Sequence, residues 1–526
     1  MSRKKNFSNP VEPKEGGVIE GFFASKKFIP ALLVICAALI LFTNQFVLLD
    51  FPSSADEYSY LISAQIFSQG KLSVPSHPLN DFFHVIHTLD DGKFYGKYPP
   101  GWPLFLMFGV LLGFPAIVNL IFGVLAIYIT YLIGRDFFSE KTGKIAALLM
   151  ATSPYLIMYS STYYSQPATL LFVSLFTYLA LRFSGEKGLA PNFLLGAVIG
   201  VVLIIRPFDA VIVLACFAVY NLYMAIRFRA ALSDEVQRLV PVLAGFVLVG
   251  CIALAYNFFQ TGDPLLMPFS KYDSRDGLGF GDGSYYVGKT LWWAVENNLF
   301  YRLVSLNLWV PFYAPLLLIA FHSRKVHGRA FLPLILIFLF FVAGYFFYSA
   351  PQFNSFGPRY IYPAAFALFI LCALALEKIK SPSISAGPLI ALFVVFNLLF
   401  LAYFSGIWHE RILAKSEVYA TVQGAGISNA IVFLGSSPDG NCAADSPCND
   451  LTRNGTAFDG DVLYALDLKG RNSELMAHYP NRSYYLWSCK SIGSRYDKLL
   501  DFVYAKNYGC SLERIYHLPG SQQVSG

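Results

Sequence analysis

The sequence predicts a polytopic α-helical membrane protein carrying a small α/β domain at its C-terminal end, and three observations predict it. Hydrophobic residues make up 56% of the 526 and charged residues only 14%, a balance too apolar for a soluble chain of this length. Apolar runs recur from Phe28 to Phe404, some reaching and several falling short of the ~20 residues that a perpendicular bilayer span requires. From about Ile412 onward the pattern changes to short strand-like stretches, turn residues and cysteines.

Taken in order, residues 1–27 carry Arg3, Lys4, Lys5, Lys14, Lys26 and Lys27, which the positive-inside rule assigns to the cytoplasm. Phe28 to Leu49 shows no small-residue cleavage site and reads as an uncleaved first helix. It opens into a large polar loop, residues 50–103, that ends in Tyr98-Pro99-Pro100-Gly101-Trp102-Pro103. Gly101 to Gly113 is apolar but short and flanked by prolines, which suits an interfacial helix. Further crossings are expected at about 115–134, 145–159, 167–182, 193–206, 209–226, 239–258, 306–321, 330–348, 361–376 and 386–404, making eleven with the first. The basic clusters Arg182/Lys187, Arg227/Arg229/Arg238, Arg324/Lys325/Arg329 and Lys378/Lys380 then fall on the cytoplasmic side.

An odd number of crossings puts residues 405–526 on the outer side as a periplasmic α/β domain, leaving 28–404 as the membrane domain. Asn429 to Leu434 and Ser483 to Trp487 read as strands, with a helix near Arg471 to His478. Cys442, Cys448, Cys489 and Cys510 are even in number and lack paired CxxC spacing, so disulfides are favoured over zinc, with the pairing open. Cys36, Cys216, Cys251 and Cys372 lie in apolar segments, where a thiol acts as a small buried hydrophobe. The net charge of +6 sits in short loops and reports orientation; it gives no sign of a nucleic-acid partner.

With this topology the polar motifs gather on the outer face. Asp56 and Glu57 follow the first helix, where a carboxylate can serve as a general base or can cap the helix that follows, with Ser53, Ser54 and Tyr58 beside it. Arg206 and Arg359 each stand next to a proline at the outer end of an apolar segment. A guanidinium there suits bidentate contact with a phosphate, while head-group snorkelling or pairing with a nearby aspartate is the plainer alternative. Lys97 and Lys271 are further cations on that face. His84 and His87, three apart, could join Asp56 or Glu57 around a divalent cation such as Mg or Mn, although the spacing is weakly specific and no cofactor is certain from it. Tyr163, Tyr164, Trp292, Trp293 and Trp309 fit an interfacial aromatic belt, with sugar stacking as the alternative. Asn257 and Asp263 suit turn chemistry at Thr261-Gly262-Asp263-Pro264.

The Asp-Glu loop start, the Tyr-Pro-Pro-Gly-Trp-Pro re-entry, Arg135 to Ser153-Pro154, Ile204 to Ala210, Tyr256 to Pro268 and Phe356 to Tyr360 together resemble the GT-C superfamily of integral-membrane glycosyltransferases. The resemblance is to bacterial members similar to protein mannosyltransferases and aminoarabinose transferases, and it covers roughly residues 28–404. It implies a multi-pass protein of the bacterial inner membrane that transfers a sugar, with inversion, from a polyprenyl-phosphate-linked donor to a glycan, lipid or protein acceptor. It further implies Asp56 as general base supported by Glu57, and Arg206, Arg359, Lys97 and Tyr360 at the donor phosphate. Tyr58, His84, His87, Tyr163, Tyr164 and Gln166 are the candidates for acceptor or sugar binding, and membrane lipids surround the whole. Relatives often carry a second aspartate where this chain reads Tyr163-Tyr164-Ser165-Gln166, and a neutral Gln166 cannot act as a base. A lipid-linked saccharide flippase or transporter, and a glycan polymerase or ligase using a lipid carrier, are the competing readings. A transporter would place charges near the membrane midplane, whereas these gather at one face.

Overall fold

Helices occupy every expected apolar segment, and several of them are shorter than a bilayer span, as are the apolar runs in the sequence. The computed structural model describes residues 25–228, 232–281, 290–322, 330–348, 353–354, 357–379, 386–437, 440–441, 450–497 and 502–515. Cys442 and Cys448 lie outside the described residues, as do Arg3, Lys4, Lys5, Lys14, Arg229, Arg324, Lys325, Arg329 and Lys380. Among the described residues five helices are long and apolar enough to cross a membrane: Phe28–Val47, Ile117–Phe137, Pro207–Arg227, Gln237–Thr261 and Gly387–Gly424. A sixth is obtained if Leu291–Leu308 and Tyr313–His322, bent by 91° at their junction, make one span.

The shorter helices have local causes. The segment expected at 145–159 is divided into Glu140–Ala151 and Pro154–Ser160, because Pro154 cannot donate to the preceding turn. The 91° bend falls at Pro311 and at Phe312, whose φ is 57°. Ala365–Lys378 is buried on all sides from Ala365 to Leu376, so other helices rather than lipid decide its length. Leu189–Ile205 and Leu232–Thr261 approach so closely that a Cβ on Gly196 would lie 1.9 Å from the Val242 carbonyl oxygen, and one on Gly245 would lie 2.2 Å from that of Phe193. Small residues are what allow membrane helices to meet this way.

The polar loop is folded. Ser54 caps the helix Ala55–Ser68, its hydroxyl accepting from the Glu57 amide, and a small antiparallel sheet follows with Lys93–Gly96 between Val74–Pro75 and Thr88–Asp90. The chain re-enters apolar structure through the helix Gly101–Leu111.

At the other end, Ala386–Gly424 runs unbroken for 39 residues across the domain boundary expected at 404/405. The C-terminal sheet has the order Phe502–Ile515, Ser483–Asp497, Ala430–Leu434, Val462–Leu466. The last three strands are parallel and the first is antiparallel to its neighbour. The helix Asn472–His478 packs beside it. Cys489 and Cys510 face each other across the antiparallel pair and form a disulfide. Cys36, Cys216 and Cys372 are buried, but Cys251 is exposed on an apolar helix, so it is no core residue. Trp309 departs from the expected aromatic belt in the opposite sense: it is buried against Tyr155 and Tyr362. Phe82 and Phe83 of the polar loop insert among Ile431, Phe433, Leu463 and Leu475, joining the loop to the C-terminal sheet.

Candidate active site

The start of the helix Ala55–Ser68 fixes where its two acids point. Successive helical residues are turned by about 100°, so Asp56 and Glu57 face different surroundings. Asp56 and Tyr60, four residues apart on one face, both line a cavity of about 490 Å³. Glu57 does not line it. Its carboxylate is wholly buried and accepts from the Ser53 amide at 3.1 Å, the Tyr163 amide at 2.9 Å and the Ser53 hydroxyl. Burial pushes the Glu57 carboxyl up to about 7, against the hydrogen bonds from Ser53 and Tyr163 and the charge of Arg453. It braces the helix start from behind the cavity wall.

Asp56 is the focus of the cavity's charge. Its carboxylate receives the Arg359 guanidinium at 3.0 Å, His87 Nε2 at 3.2 Å and the Tyr98 hydroxyl. Burial works to raise its pKa, but the attraction of a protonated His87, of Arg359 and of Lys97, with the Tyr98 bond, holds it well below the usual carboxylate range. His87 is itself lowered to about 4, by burial first and by the neighbouring Lys97 and Arg359 charges, against the pull of Asp56. At neutral pH His87 is therefore neutral, and the cation paired directly with an ionised Asp56 is Arg359. The turn at His87, φ 68°, is held by bonds to its carbonyl from Ser59 Oγ at 2.7 Å and the Lys97 amide at 3.0 Å.

Arg206 and Arg359 line the same cavity, and each has protein partners. Arg206 pairs with Asp209 at 2.9 Å and donates to the Tyr345 hydroxyl at 3.0 Å, which donates in turn to Asp209. Arg359 also donates to the Tyr360 hydroxyl at 3.0 Å. Tyr360 stacks on Tyr345, ring centroids 4.7 Å apart, and the Arg206 guanidinium lies 5.2 Å from the Tyr360 ring centre. Lys97 is buried among the rings of Tyr98, Phe269 and Tyr272, with Asp276 at 3.8 Å. Burial lowers its pKa while Asp56 and Asp276 oppose this. Asp276, which burial raises, also accepts from the Tyr348 hydroxyl at 2.9 Å.

Of the residues singled out in the sequence, Asp56, His87, Lys97, Tyr164, Gln166, Arg206, Arg359 and Tyr360 line the cavity. Glu57, Tyr58, His84 and Tyr163 do not. Tyr58 donates to the Asn454 carbonyl, Tyr163 donates to Asp50, and His84 offers its carbonyl to Thr452 Oγ1. His87 contacts Asp56 and His84 does not line the cavity, so the two histidines do not share that site. Among the described residues no group of three or more His, Cys, Asp or Glu side chains is placed to hold a metal ion. Lys271 pairs with Asp91 outside the cavity. Residues the sequence reading missed include Tyr60, Tyr98, Phe269, Asp276, Tyr345 and Tyr348. Tyr60 was accessible from its i+4 spacing to Asp56; Asp276 carried no motif.

Chemically, the cavity joins an ionised carboxylate able to accept a proton with three cations able to meet an anion, and it is walled by tyrosines.

Comparison with known proteins adds the following. The family profile described as "Dolichyl-phosphate-mannose-protein mannosyltransferase" matches residues 99–256, and one described as a domain of unknown function, DUF7846, matches residues 430–499. No curated protein matches. The fold is similar to that of ArnT from Cupriavidus metallidurans bound to undecaprenyl phosphate, at 13% identity and a TM-score of 0.55, covering 95% of this chain and 100% of that one. It is likewise similar to the same organism's ArnT in the apo state, at 11% identity and a TM-score of 0.53, covering 88% of this chain and 93% of that one.

Proposed function

We infer that this chain, a membrane glycosyltransferase of the GT-C superfamily by its family segment and its fold, transfers a sugar from a polyprenyl-phosphate-linked donor to an acceptor. The observation that carries this reading is the convergence of Asp56, Arg359, Lys97 and Arg206 on one cavity. The undecaprenyl phosphate bound to the similarly folded ArnT supports a lipid phosphate as the leaving group. In this mechanism Asp56 takes the proton of an acceptor hydroxyl or amine as the acceptor's lone pair forms a bond to the anomeric carbon. The bond from that carbon to the phosphate oxygen breaks on the opposite side, inverting the centre. The electron pair leaves with the lipid phosphate, whose charge is met by Arg359, Lys97 and Arg206, groups already oriented by Tyr345, Tyr360 and Asp209.

Tyr164 and Gln166 line the cavity and contact the sugar or acceptor in this reading, which is supported by a Gln166 side-chain amide oxygen that has no hydrogen-bond partner among the described residues. The eleven helical segments cross the bacterial inner membrane with the cavity and residues 405–526 on the periplasmic side. The test is transfer by the full-length protein in lipid nanodiscs, with a panel of polyprenyl-phosphate sugars and mass detection of the released lipid phosphate. Release of lipid phosphate that depends on Asp56 supports the reading. No release from any donor, or undiminished release by Asp56→Asn, refutes it.

A further inference from the structure

The C-terminal domain reaches the helix start that bears Asp56 through a buried ionic cluster that the reaction itself does not use. Asp450 forms ion pairs with Lys415, on the long helix Ala386–Gly424, and with Arg453 at 3.8 Å. All three are largely buried, with exposures of 2%, 9% and 10%. Both cations also reach the chain just ahead of Asp56. Arg453 donates to the Pro52 carbonyl at 2.9 Å, and Lys415 donates to the Ser53 carbonyl at 3.3 Å. The Arg453 guanidinium also lies 3.9 Å from the Phe51 ring centre and 5.0 Å from that of Tyr58.

Around this cluster the segment from Asp450 to Thr456 is fixed to the polar loop at three more points. Thr452 donates to the His84 carbonyl at 2.9 Å, Gln69 donates to Thr456 at 2.8 Å and Tyr58 donates to the Asn454 carbonyl at 3.4 Å. Asn454 in turn is paired twice, at 2.8 Å each way, with the backbone of Tyr464 in the C-terminal sheet. The Ser53 peptide is consequently held from both sides: its N–H by Glu57 and its carbonyl by Lys415. Two buried cations against one carboxylate leave a net positive charge, and the Arg453 charge acts on buried Glu57 against the rise that burial gives its pKa. None of Asp450, Lys415 and Arg453 lines the cavity, yet the two carbonyls that the cations hold, of Pro52 and Ser53, lie within four residues of Asp56.

We propose that Arg453, with Asp450 and Lys415, is a positioning device through which the C-terminal domain fixes the Pro52–Ser53 backbone and so aims Asp56 into the cavity. The proposal rests on the reading of Asp56 as the base. Turnover by the membrane helices therefore depends on the docked C-terminal domain even though that domain supplies no group to the reacting atoms. A small misplacement of a general base is costly, because proton transfer requires it within hydrogen-bond reach of the acceptor.

The test uses the full-length protein in nanodiscs, with Arg453→Ala, Arg453→Lys and Lys415→Met assayed for kcat and donor KM beside Asp56→Asn. Arg453→Ala and Lys415→Met are expected to lower kcat about tenfold or more with donor KM within about twofold. Arg453→Lys, which keeps the charge but not the planar guanidinium, is expected to fall between them and the parent protein. Arg471→Ala removes the exposed pair with Asp81, another contact between loop and domain, and is expected to leave kcat unchanged. Parent-like kcat in folded Arg453→Ala and Lys415→Met overturns the proposal, as does a loss confined to donor KM or an equal loss in Arg471→Ala. Full turnover by Asp56→Asn instead removes the reading of Asp56 as base, so the two failures are distinguishable.

Discussion

Replacing Asp56 by Asn should move two measured quantities in different directions. The carboxylate is the proposed proton acceptor, and loss of a positioned base costs about 10²–10⁴ in kcat. The same carboxylate occupies one arm of Arg359 at 3.0 Å. A donor phosphate seated on that guanidinium would lie roughly 6 Å from Asp56, and at an effective dielectric of about 20–40 the repulsion between the two charges is about 1–3 kcal/mol. Asn removes that repulsion and frees Arg359 to face the phosphate. Binding of a plain polyprenyl phosphate should therefore tighten, by roughly 5- to 150-fold at this energy. Turnover by mass detection and binding by calorimetry in nanodiscs separate the two effects. Undiminished turnover refutes the base; weaker binding of the lipid phosphate refutes the charge balance drawn around Arg359.

Other perturbations test separate parts of the structure. Arg206→Ala leaves Asp209, which is fully buried, with an uncompensated charge, so thermal unfolding should show a loss of about 3–5 kcal/mol, most of it recovered in the double variant R206A/D209A. Glu57 has a folded-state pKa raised above its ordinary value of 4.5 to about 7, so the folded state holds its proton more tightly. Its contribution to stability is complete below pH 4.5 and declines as pH rises through about 7; the difference in melting temperature between the parent protein and Glu57→Gln should follow that slope. His87, lowered from 6.5 to about 4, acts in the opposite sense: the unfolded chain binds the extra proton, so stability should fall as pH drops from about 6.5 toward 4, and less steeply in His87→Gln. Gly245→Val forces a side chain against the Phe193 carbonyl and should cost about 1–3 kcal/mol by the same melts.

The polar loop and its acids were legible because charge is rare in an apolar chain and stands out wherever it occurs. Which acid faces the cavity was not, since adjacent residues on a helix diverge by about 100° and the Ser53 peptide captures Glu57. Tyr163 and Tyr164 part in the same way: the first faces Asp50, the second the cavity. Arg206 and Arg359 were found as lone guanidiniums, but their protein partners, Asp209 and Asp56, only partly so; Asp209 is visible three residues on, whereas Asp56 is 303 residues away. Asp276 and Tyr348 reach the cavity through tertiary contacts between a long loop and the end of a helix, for which no sequence period exists. Helix lengths follow from packing in a related way. A span encased by protein, such as Ala365–Lys378, is sized by its neighbours and not by lipid.

The unbroken helix Ala386–Gly424 has a mechanical consequence. At 1.5 Å per residue its 39 residues extend about 58 Å, roughly twice the hydrocarbon thickness of a bilayer. It is a rigid mast stepped in the membrane, and the C-terminal sheet is carried at its head. Any tilt of its lower half is transmitted as a larger swing above, and its pitch sets the azimuth at which Lys415 meets Ser53. Grafting a different head onto this mast would have to respect helical phase: one inserted residue turns the sheet by about 100°, while seven, close to two full turns, return it almost to register.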